Sequence, residues 1–407
     1  MRTPVSATCA SDASRASFGA PAAPASWGRS RSLPALLVLL GELATGGAAR
    51  GQDFAATVRA PAVPRSDPAA VTIIELGLPG QANQPGPYKT SLAEVLVGQP
   101  GVQVRASGGL GQFSGAVLRG AAPSQVAVLV DGVPLSRGSQ ASVDLSLLPI
   151  AGVERVEIYR GAPPLELGVD AIGGTVNLIT RRGRTAPTGW SELGGGSFGR
   201  RLVSLGYSGE QPGLRVSASV SYQGAVGDFP YYFNEGLRYG KPELAQLRRR
   251  NDDFDQGAVD LRVTFGQDSR GGFAQVSGLL KRQGVAGIGQ PGGQPGDPEL
   301  ATGRALLILG GQGTLAGGHV ALAGDAHALL EQTRFHDLKA LPVRVLAQLS
   351  EQTGARLVLR LHRYAAARPT AALNQLSLIL LAEGRYERLD QSDLCAAQPG
   401  SCAGAPP

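Results

Sequence analysis

From Trp190 onward, apolar and polar residues alternate one for one. Leu214, Val216, Ala218, Val220 and Tyr222 are separated by Arg215, Ser217, Ser219 and Ser221. Val259, Leu261, Val263 and Phe265 alternate with Ala258, Asp260, Arg262 and Thr264, and Val203, Leu205 and Tyr207 keep the same rhythm. So do Ala274, Val276 and Leu280 against Gln275 and Ser277. A period of two predicts strands. Repeated over roughly 8–10 residues per segment, it suits a wall with hydrocarbon on one side and a polar lumen on the other. Soluble β-sandwiches alternate too, so loop lengths must separate the two. Short turns (Ser208–Pro212 and Gly266–Gly272) alternate with long loops (Gln223–Asp255 and Arg282–Leu300). Short periplasmic turns and longer external loops are expected of a membrane barrel. Seven or eight strands can be placed, the last over Asn374–Arg388. Between Lys339 and Ala372 the alternation fades, and Leu341–Leu346 and Arg356–Leu361 fit a helix as well as a strand.

Upstream of Trp190 the pattern is that of a small globular domain. Ser91-Leu92-Ala93-Glu94 is a capping box, in which serine oxygen and glutamate carboxylate satisfy free amides at a helix start. Gly98-Gln99-Pro100-Gly101 ends that helix, and Val102–Arg105 alternates as a strand. Val126–Val130 is a continuous apolar run suited to a buried strand, turned by Asp131-Gly132. Between Val153 and Arg160, Arg155 and Glu157 share one face while Val156 and Ile158 share the other. A small mixed sheet with two short helices is expected.

Four motifs arrive here in fixed order: Leu118-Arg119-Gly120, Val128–Gly132, Val153–Gly161 with its closing Arg160-Gly161, and Gly173-Gly174-Thr175-Val176-Asn177 running to Thr180. Together they resemble the plug domain of TonB-dependent outer-membrane receptors, densely from Ser91 to about Arg184. The resemblance implies an α+β plug domain followed by antiparallel transmembrane β-barrel strands. It also implies that Arg119 and Arg155 or Arg160 face the barrel wall and pair with its carboxylates; the plainer reading is surface arginines near turns. Asp131, Glu157 and Asn177 belong to the same motif set, and Gly120, Gly132, Gly161, Gly173 and Gly174 serve tight turns or close backbone approach. Such barrels have about 22 strands, more than this chain supplies, so an incomplete barrel from a truncated receptor is expected.

The same resemblance gives the remaining segments their roles. Residues 1–49 read as an export signal with an upstream low-complexity stretch: Leu33–Leu43 is apolar, Arg29 and Arg31 precede it, and cleavage is expected near Ala49. A short buried helix is the alternative for Leu33–Leu43. Residues 50–87 read as a linker holding a candidate TonB box, Asp53-Phe54-Ala55-Ala56-Thr57-Val58-Arg59, for capture by a TonB-type periplasmic energy-transducing partner through strand addition. An ordinary linker segment is the rival reading, and Val71–Leu76 is a second box candidate. The plug is placed at 88–184, the partial barrel at 185–390 and a disordered tail at 391–407. Cys395 and Cys402 could pair in an oxidising compartment, or remain free.

Charged residues make up 17% of the chain and 58 of its 407 residues are glycine, which fits many short strands joined by turns. The net charge of +6 is spread out; Arg248-Arg249-Arg250 is neutralised by Asn251-Asp252-Asp253, so no nucleic-acid interface is expected. The four histidines do not cluster with cysteines at ligand spacing, and no metal site or cofactor is expected. Gly194-Gly195-Gly196-Ser197-Phe198-Gly199 satisfies a dinucleotide fingerprint literally. That motif needs a helix to follow, whereas Arg200–Tyr207 alternates as a strand, so a hairpin turn is expected.

No nucleophile set near a glycine-rich turn is seen, so no enzyme is expected. Function is read as uptake of a scarce ligand, an iron-siderophore or cobalamin, across the outer membrane and its lipid. Contacts are expected at plug apices Ala106–Ser114 and Ser136–Ser142. Asp228–Phe233 offers either an aromatic contact surface or a membrane-interface anchor. The alternative function is a periplasmic plug-type interaction module; an exported hydrolase is the third.

Overall fold

The computed structural model describes residues 71–78, 89–135, 142–169, 171–183, 186–238, 241–267, 270–286, 297–315, 320–337, 344–364 and 375–393. The signal, the candidate box at 53–59, most of the Ser136–Ser142 apex and both Cys395 and Cys402 lie outside these residues. The first strands are β1 (Val71–Glu75), β2 (Val102–Ala106), β3 (Ser114–Leu118), β4 (Val126–Val130), β5 (Val133–Pro134), β6 (Val153–Tyr159) and β7 (Gly174–Thr180), with one short helix, α1 (Leu92–Leu96). Five of them form a sheet in the order β1-β6-β7-β4-β5, and β2 pairs with β3 as a separate hairpin. The β4–β7 pair is parallel and the rest antiparallel, a mixed sheet as expected.

Packing explains why these segments fold. Val126, Val128 and Val130 meet Val156, Ile158, Val176 and Leu178 in one core, which α1 covers with Leu92, Val95 and Leu96. The helix starts as its sequence dictates: Glu94 accepts hydrogen bonds from the Thr90 amide at 2.7 Å and the Ser91 amide at 3.2 Å. One helix and several single turns of 3-10 geometry are present among the described residues, where two short helices were expected. The expectation for Val71–Leu76 is corrected more sharply. Val71–Glu75 pairs residue for residue with Tyr159–Arg155 as an edge strand of the plug sheet, so it is neither linker nor free box. Its Val-Thr-Ile-Ile run satisfies its backbone on β6, the energetically necessary fate of an apolar strand beside an open edge.

Nine further strands form the wall: β8 (Thr188–Gly196), β9 (Arg200–Gln211), β10 (Leu214–Ala225), β13 (Phe254–Gln267), β14 (Arg270–Gly284), β15 (Glu299–Leu315), β16 (Val320–Asp337), β17 (Arg344–Tyr364) and β18 (Gln375–Asp393). They pair antiparallel with nearest sequence neighbours into one sheet, which β11 (Pro230–Arg238) and β12 (Lys241–Arg248) leave as a hairpin inside the long loop between β10 and β13. The sheet is open: β8 and β18 each have one neighbour. The ambiguous Lys339–Ala372 stretch holds a 21-residue strand, and Gln391–Asp393 extends β18 into what was read as the tail. The fingerprint-like glycines lie at the end of β8 and the hairpin turn into β9, with no helix following.

Side-chain burial splits the wall into two faces. Val220, Val259, Leu261, Val276, Leu307 and Leu330 are exposed on one side. Ser219, Gln256, Gln275, Lys281, Thr302 and Gln352 are buried on the other, against the plug. Register aligns the exposed residues across strands, with Leu205, Val220 and Val259 forming one row and Leu261, Val276 and Leu307 another. Apolar side chains facing out and polar ones facing in are the reverse of a water-soluble protein and match a strand in lipid. No helix among the described residues is long and apolar enough to cross a membrane.

The inner face also carries buried apolar side chains, among them Leu202, Phe254, Leu279 and Val358, and at one place they merge with the plug core. Leu306, Ile308 and Leu329 join the plug's own hydrophobic core, so the Ala305–Leu309 run of β15 is apolar both on its exposed face and on the face toward the plug interior. This fixes wall to plug by burial as well as by hydrogen bonds. A charge on the outward face is predicted to be costly. Leu261→Arg should lower unfolding stability in a bilayer by about 2–4 kcal/mol, read as a shifted urea midpoint for heat-modifiable migration. Tolerance within a few tenths of that scale would mean that the face meets water.

Candidate functional site

The plug's motif residues gather at one turn. Asp131 and Gly132 join β4 to β5 with left-handed φ of 49° and 83°. Asp131 accepts from the Thr180 amide at 3.2 Å and its hydroxyl at 2.7 Å, while the Gly132 amide donates to Asn177 Oδ1 at 3.1 Å. Asn177 Nδ2 then donates to Glu157 Oε2 at 3.1 Å, where Tyr159 OH also donates at 3.0 Å and Arg155 Nε reaches the other oxygen at 2.9 Å. Burial and the Glu157 carboxylate push the Tyr159 phenol well above its ordinary pKa, so it stays a donor. One buried carboxylate therefore ties β6 to β7, and Asn177 carries the connection to the turn. Gly174, with φ of 122°, sits where a side chain would strike the Tyr159 carbonyl, and the Gly173 amide closes on the Gln125 carbonyl at 3.0 Å.

Among the described residues, the three plug arginines do not meet wall carboxylates as the resemblance implied. Arg155 is spent on Glu157, and Arg160 donates to the Pro100 carbonyl at 2.7 Å and to Thr72 Oγ1 at 2.6 Å. Arg119 and Gly120 form an exposed turn with φ of 51° and 80°, and Gly161 follows β6 on the surface side. The arrangement is inverted: the wall supplies the cations and the plug supplies oxygen. Arg356 is held by Asp325 at 2.7 Å and offers Nη1 to the carbonyls of Gly132 at 3.1 Å and Glu166 at 3.2 Å. Arg262 lies 3.5 Å from Asp131, bonds Thr180 Oγ1 at 3.2 Å and stacks over Phe273. Arg304, paired with Glu331 at 2.7 Å, reaches the Leu147 carbonyl at 3.4 Å. From β9, Arg200 meets Glu94 at 2.9 Å.

These wall residues were legible only as polar positions. Each occupies the inward phase of its strand, where serine or glutamine would satisfy the same pattern. A long cation at that phase is the signal that could have marked them.

At the long-loop side, the β2–β3 hairpin raises its apex, Ser107–Gln112, against the wall. Gln112 Nε2 donates to the Gly284 carbonyl at 3.0 Å and Gln283 Nε2 donates to Gln112 Oε1 at 3.2 Å. Lys281 bonds the Gly111 carbonyl and reaches Ser146 Oγ at 2.7 Å. A Cβ on Gly111, whose φ is 82°, would overlap the buried Phe254 ring, so glycine here is a condition of docking. Beside the apex lies a cavity of about 400 Å³, bounded by Gly109 and Leu110, by the Gly196–Phe198 turn, and by Phe229 and Asp252 of the long loop. A second, of about 410 Å³, opens toward the short turns between the Asp131-Gly132 turn and the wall. Arg248, in the basic run of the long loop, pairs with Asp228 at 2.6 Å.

Two outcomes follow from these contacts. Arg356→Gln should speed amide exchange of the 132–135 and 165–168 turns by on the order of tenfold and leave Ser107–Gln112 unchanged; equal protection in both proteins would remove Arg356 as a clamp. Separately, burial raises the Asp252 carboxyl above its ordinary pKa, with Arg249 opposing the shift and Asp253 adding to it. The stabilisation gained on protonation is fully present below the unfolded value and is lost as pH rises through the raised one. Apex exchange, corrected for intrinsic rate, should thus be slower at about pH 4 than at about pH 8, and Asp252→Asn should abolish the difference.

The comparisons agree with this geometry. The profile of the TonB-dependent Receptor Plug Domain family matches residues 68–175. The siderophore receptor PiuA from Acinetobacter baumannii superposes with a TM-score of 0.57 at 14% identity, over 79% of this chain and 46% of that one. The pyoverdine outer-membrane receptor FpvA from Pseudomonas aeruginosa PAO1 gives 0.55 at 15% identity, over 75% and 45%. A mutant ferric enterobactin receptor PfeA from Pseudomonas aeruginosa gives 0.54 at 16%, over 79% and 50%. The chain spans about half the length of these solved receptors. Residues 68–175 match the plug domain of the TonB-dependent receptors, and the wall strands that follow share the fold of these receptors' plug-and-barrel architecture.

Proposed function

We propose that this chain is the plug-bearing part of an outer-membrane receptor that imports a scarce, bulky ligand through energised rearrangement of its plug. The observation that carries the reading is the wall's two-faced strands, apolar outward and hydrogen-bonded inward to a plug. A sheet with that outward face has its solvent in lipid. The inward contacts are largely hydrogen bonds and ion pairs, which can be exchanged for water as the plug shifts, unlike a dry apolar seam. A ferric siderophore is the favoured ligand class, supported by what the structurally similar PiuA, FpvA and PfeA are named for; cobalamin has no such support.

Ligand would arrive at the apex cavity beside Ser107–Gln112. Asp53–Arg59 would be pulled from the periplasmic side by a TonB-type partner, adding as a strand. Force would then reach the plug through β1, the next strand along the chain, and its bonds to β6. The rival reading, a soluble plug module, fits poorly with Leu306, Ile308 and Leu329 of the wall completing the plug's core.

Two measurements test this. In the outer-membrane fraction the chain should migrate in a heat-modifiable manner, whereas release of a plug-sized periplasmic fragment would contradict the reading. Cross-linking of 53–59 to the periplasmic partner should fall on the order of tenfold in Thr57→Pro, since proline removes a ladder donor. Undiminished cross-linking would place the box elsewhere.

A further inference from the structure

The apex cavity also carries information about what it would hold. Three observations converge on it.

The first is backbone strain. Phe198, at the tip of the β8–β9 hairpin, has φ of 57° and ψ of 36°, a left-handed conformation disfavoured for an aromatic residue. Its carbonyl accepts from the Val226 amide at 3.0 Å and the Gly227 amide at 3.2 Å, so the neighbouring loop holds it there. Its ring is half-exposed. Strain that is held in place while an apolar ring is left uncovered points to a use for that ring.

The second is the aromatic wall. Phe198 meets Phe229 edge-on at 6.0 Å, and Phe229 meets Tyr231 at 6.5 Å. With Leu110 from the plug apex, Phe198 and Phe229 give the 400 Å³ space a predominantly apolar lining, a volume in the range that holds a compact organic group.

The third is a buried carboxylate. Asp252 is 2% exposed; Arg249 supplies its opposing charge, and the Gly109 amide and Gln112 side chain face its oxygens without meeting good hydrogen-bond geometry. Gly227 packs on its backbone from the other side. Arg200, the cation lining the same cavity, is already engaged by Glu94 at 2.9 Å. A buried carboxylate left in this state is costly, and a donor brought in by a ligand would remove the cost.

We infer that the cavity selects a ligand moiety with an aryl face and an adjacent hydrogen-bond donor, best a protonated nitrogen, the ring packing on Phe198 and Phe229 and the donor meeting Asp252. An aryl group bearing a carboxylate is excluded by the like charge. This rests on the receptor reading for its biological setting, but the recognition chemistry is separable from it. Asp252 borders the cavity beside the apex turn, where Gly109 packs on its carboxylate.

The test uses the full chain in detergent micelles with three matched probes: phenethylammonium, 2-phenylethanol and 3-phenylpropionate. Binding is read by ligand-observed NMR in excess of empty micelles. Affinity should fall in that order, by on the order of tenfold from first to last. Asp252→Asn, near-isosteric and expected to fold, should collapse the spread, and Phe198→Ala should weaken all three alike. Phenethylammonium should also slow amide exchange in Ser107–Gln112, a readout that does not depend on either variant. Equal affinity for the three, preference for the carboxylate, or a spread that survives in Asp252→Asn overturns the inference. Membrane fractionation and capture of the 53–59 segment are indifferent to all of these results, so failure here and failure of the receptor reading are told apart.

Discussion

A strand that meets hydrocarbon on one face and a folded plug on the other has no face left for water. On the receptor reading, that constraint governs the second half of this chain. It demands a period of two, and it favours inward residues that find partners on the plug, because a buried donor or acceptor without one costs more than the bond would contribute. Among the described residues, Ser219, Gln256 and one atom each of Gln275 and Gln352 remain without one. Ser219, Gln275 and Gln352 are inward for the first reason, and Arg262, Lys281, Arg304 and Arg356 reach plug oxygen for the second.

The polarity of that interface has a mechanical meaning. Arg356 holds two separate plug turns through carbonyl oxygens, while Asp325 fixes the guanidinium from the wall side. Main-chain carbonyls make the grip insensitive to plug side-chain identity and tie it to backbone position. A shift of the Asp131-Gly132 turn would thus break the grip as a unit. The Leu306, Ile308 and Leu329 contact works in the opposite sense, since its burial is lost only when the plug separates from the wall. The structure combines an exchangeable polar seam with apolar anchors, the Leu306, Ile308 and Leu329 contact and the Phe254 ring against Gly111.

Much of this was legible in the sequence because two signals were strong. Alternation in Leu214–Tyr222 and Ala258–Phe265 fixed both strand and face, and glycine after Leu118-Arg119 and Val130-Asp131 fixed the plug's turns. Ala305–Leu309 was not legible as a wall strand, since both of its faces are apolar and the period vanishes. Arg344–Tyr364 was ambiguous because Leu357, Val358 and Leu359 in succession suit either element; cross-strand pairing with β16 decides it. Val71–Glu75 looked like linker because its partner, β6, is some 80 residues away in sequence. Wall cations at inward positions looked like ordinary polar alternation; several of their partners are plug carbonyls, which carry no sequence signature, and the others, Asp131, Glu94 and Ser146, lie far away in sequence.

The central claim is that the two faces of each wall strand meet different surroundings, lipid and plug. Spin labels placed one at a time along Ser217–Gln223, in a bilayer and with the native cysteines replaced by serine, read this directly by their relaxation with oxygen and with a water-soluble nickel chelate. The account predicts oxygen-access maxima at Ala218, Val220 and Tyr222, and low access to both reagents at Ser217, Ser219 and Gln223. Strong access of the nickel chelate to Ala218, Val220 and Tyr222, or no oscillation at all, would contradict it.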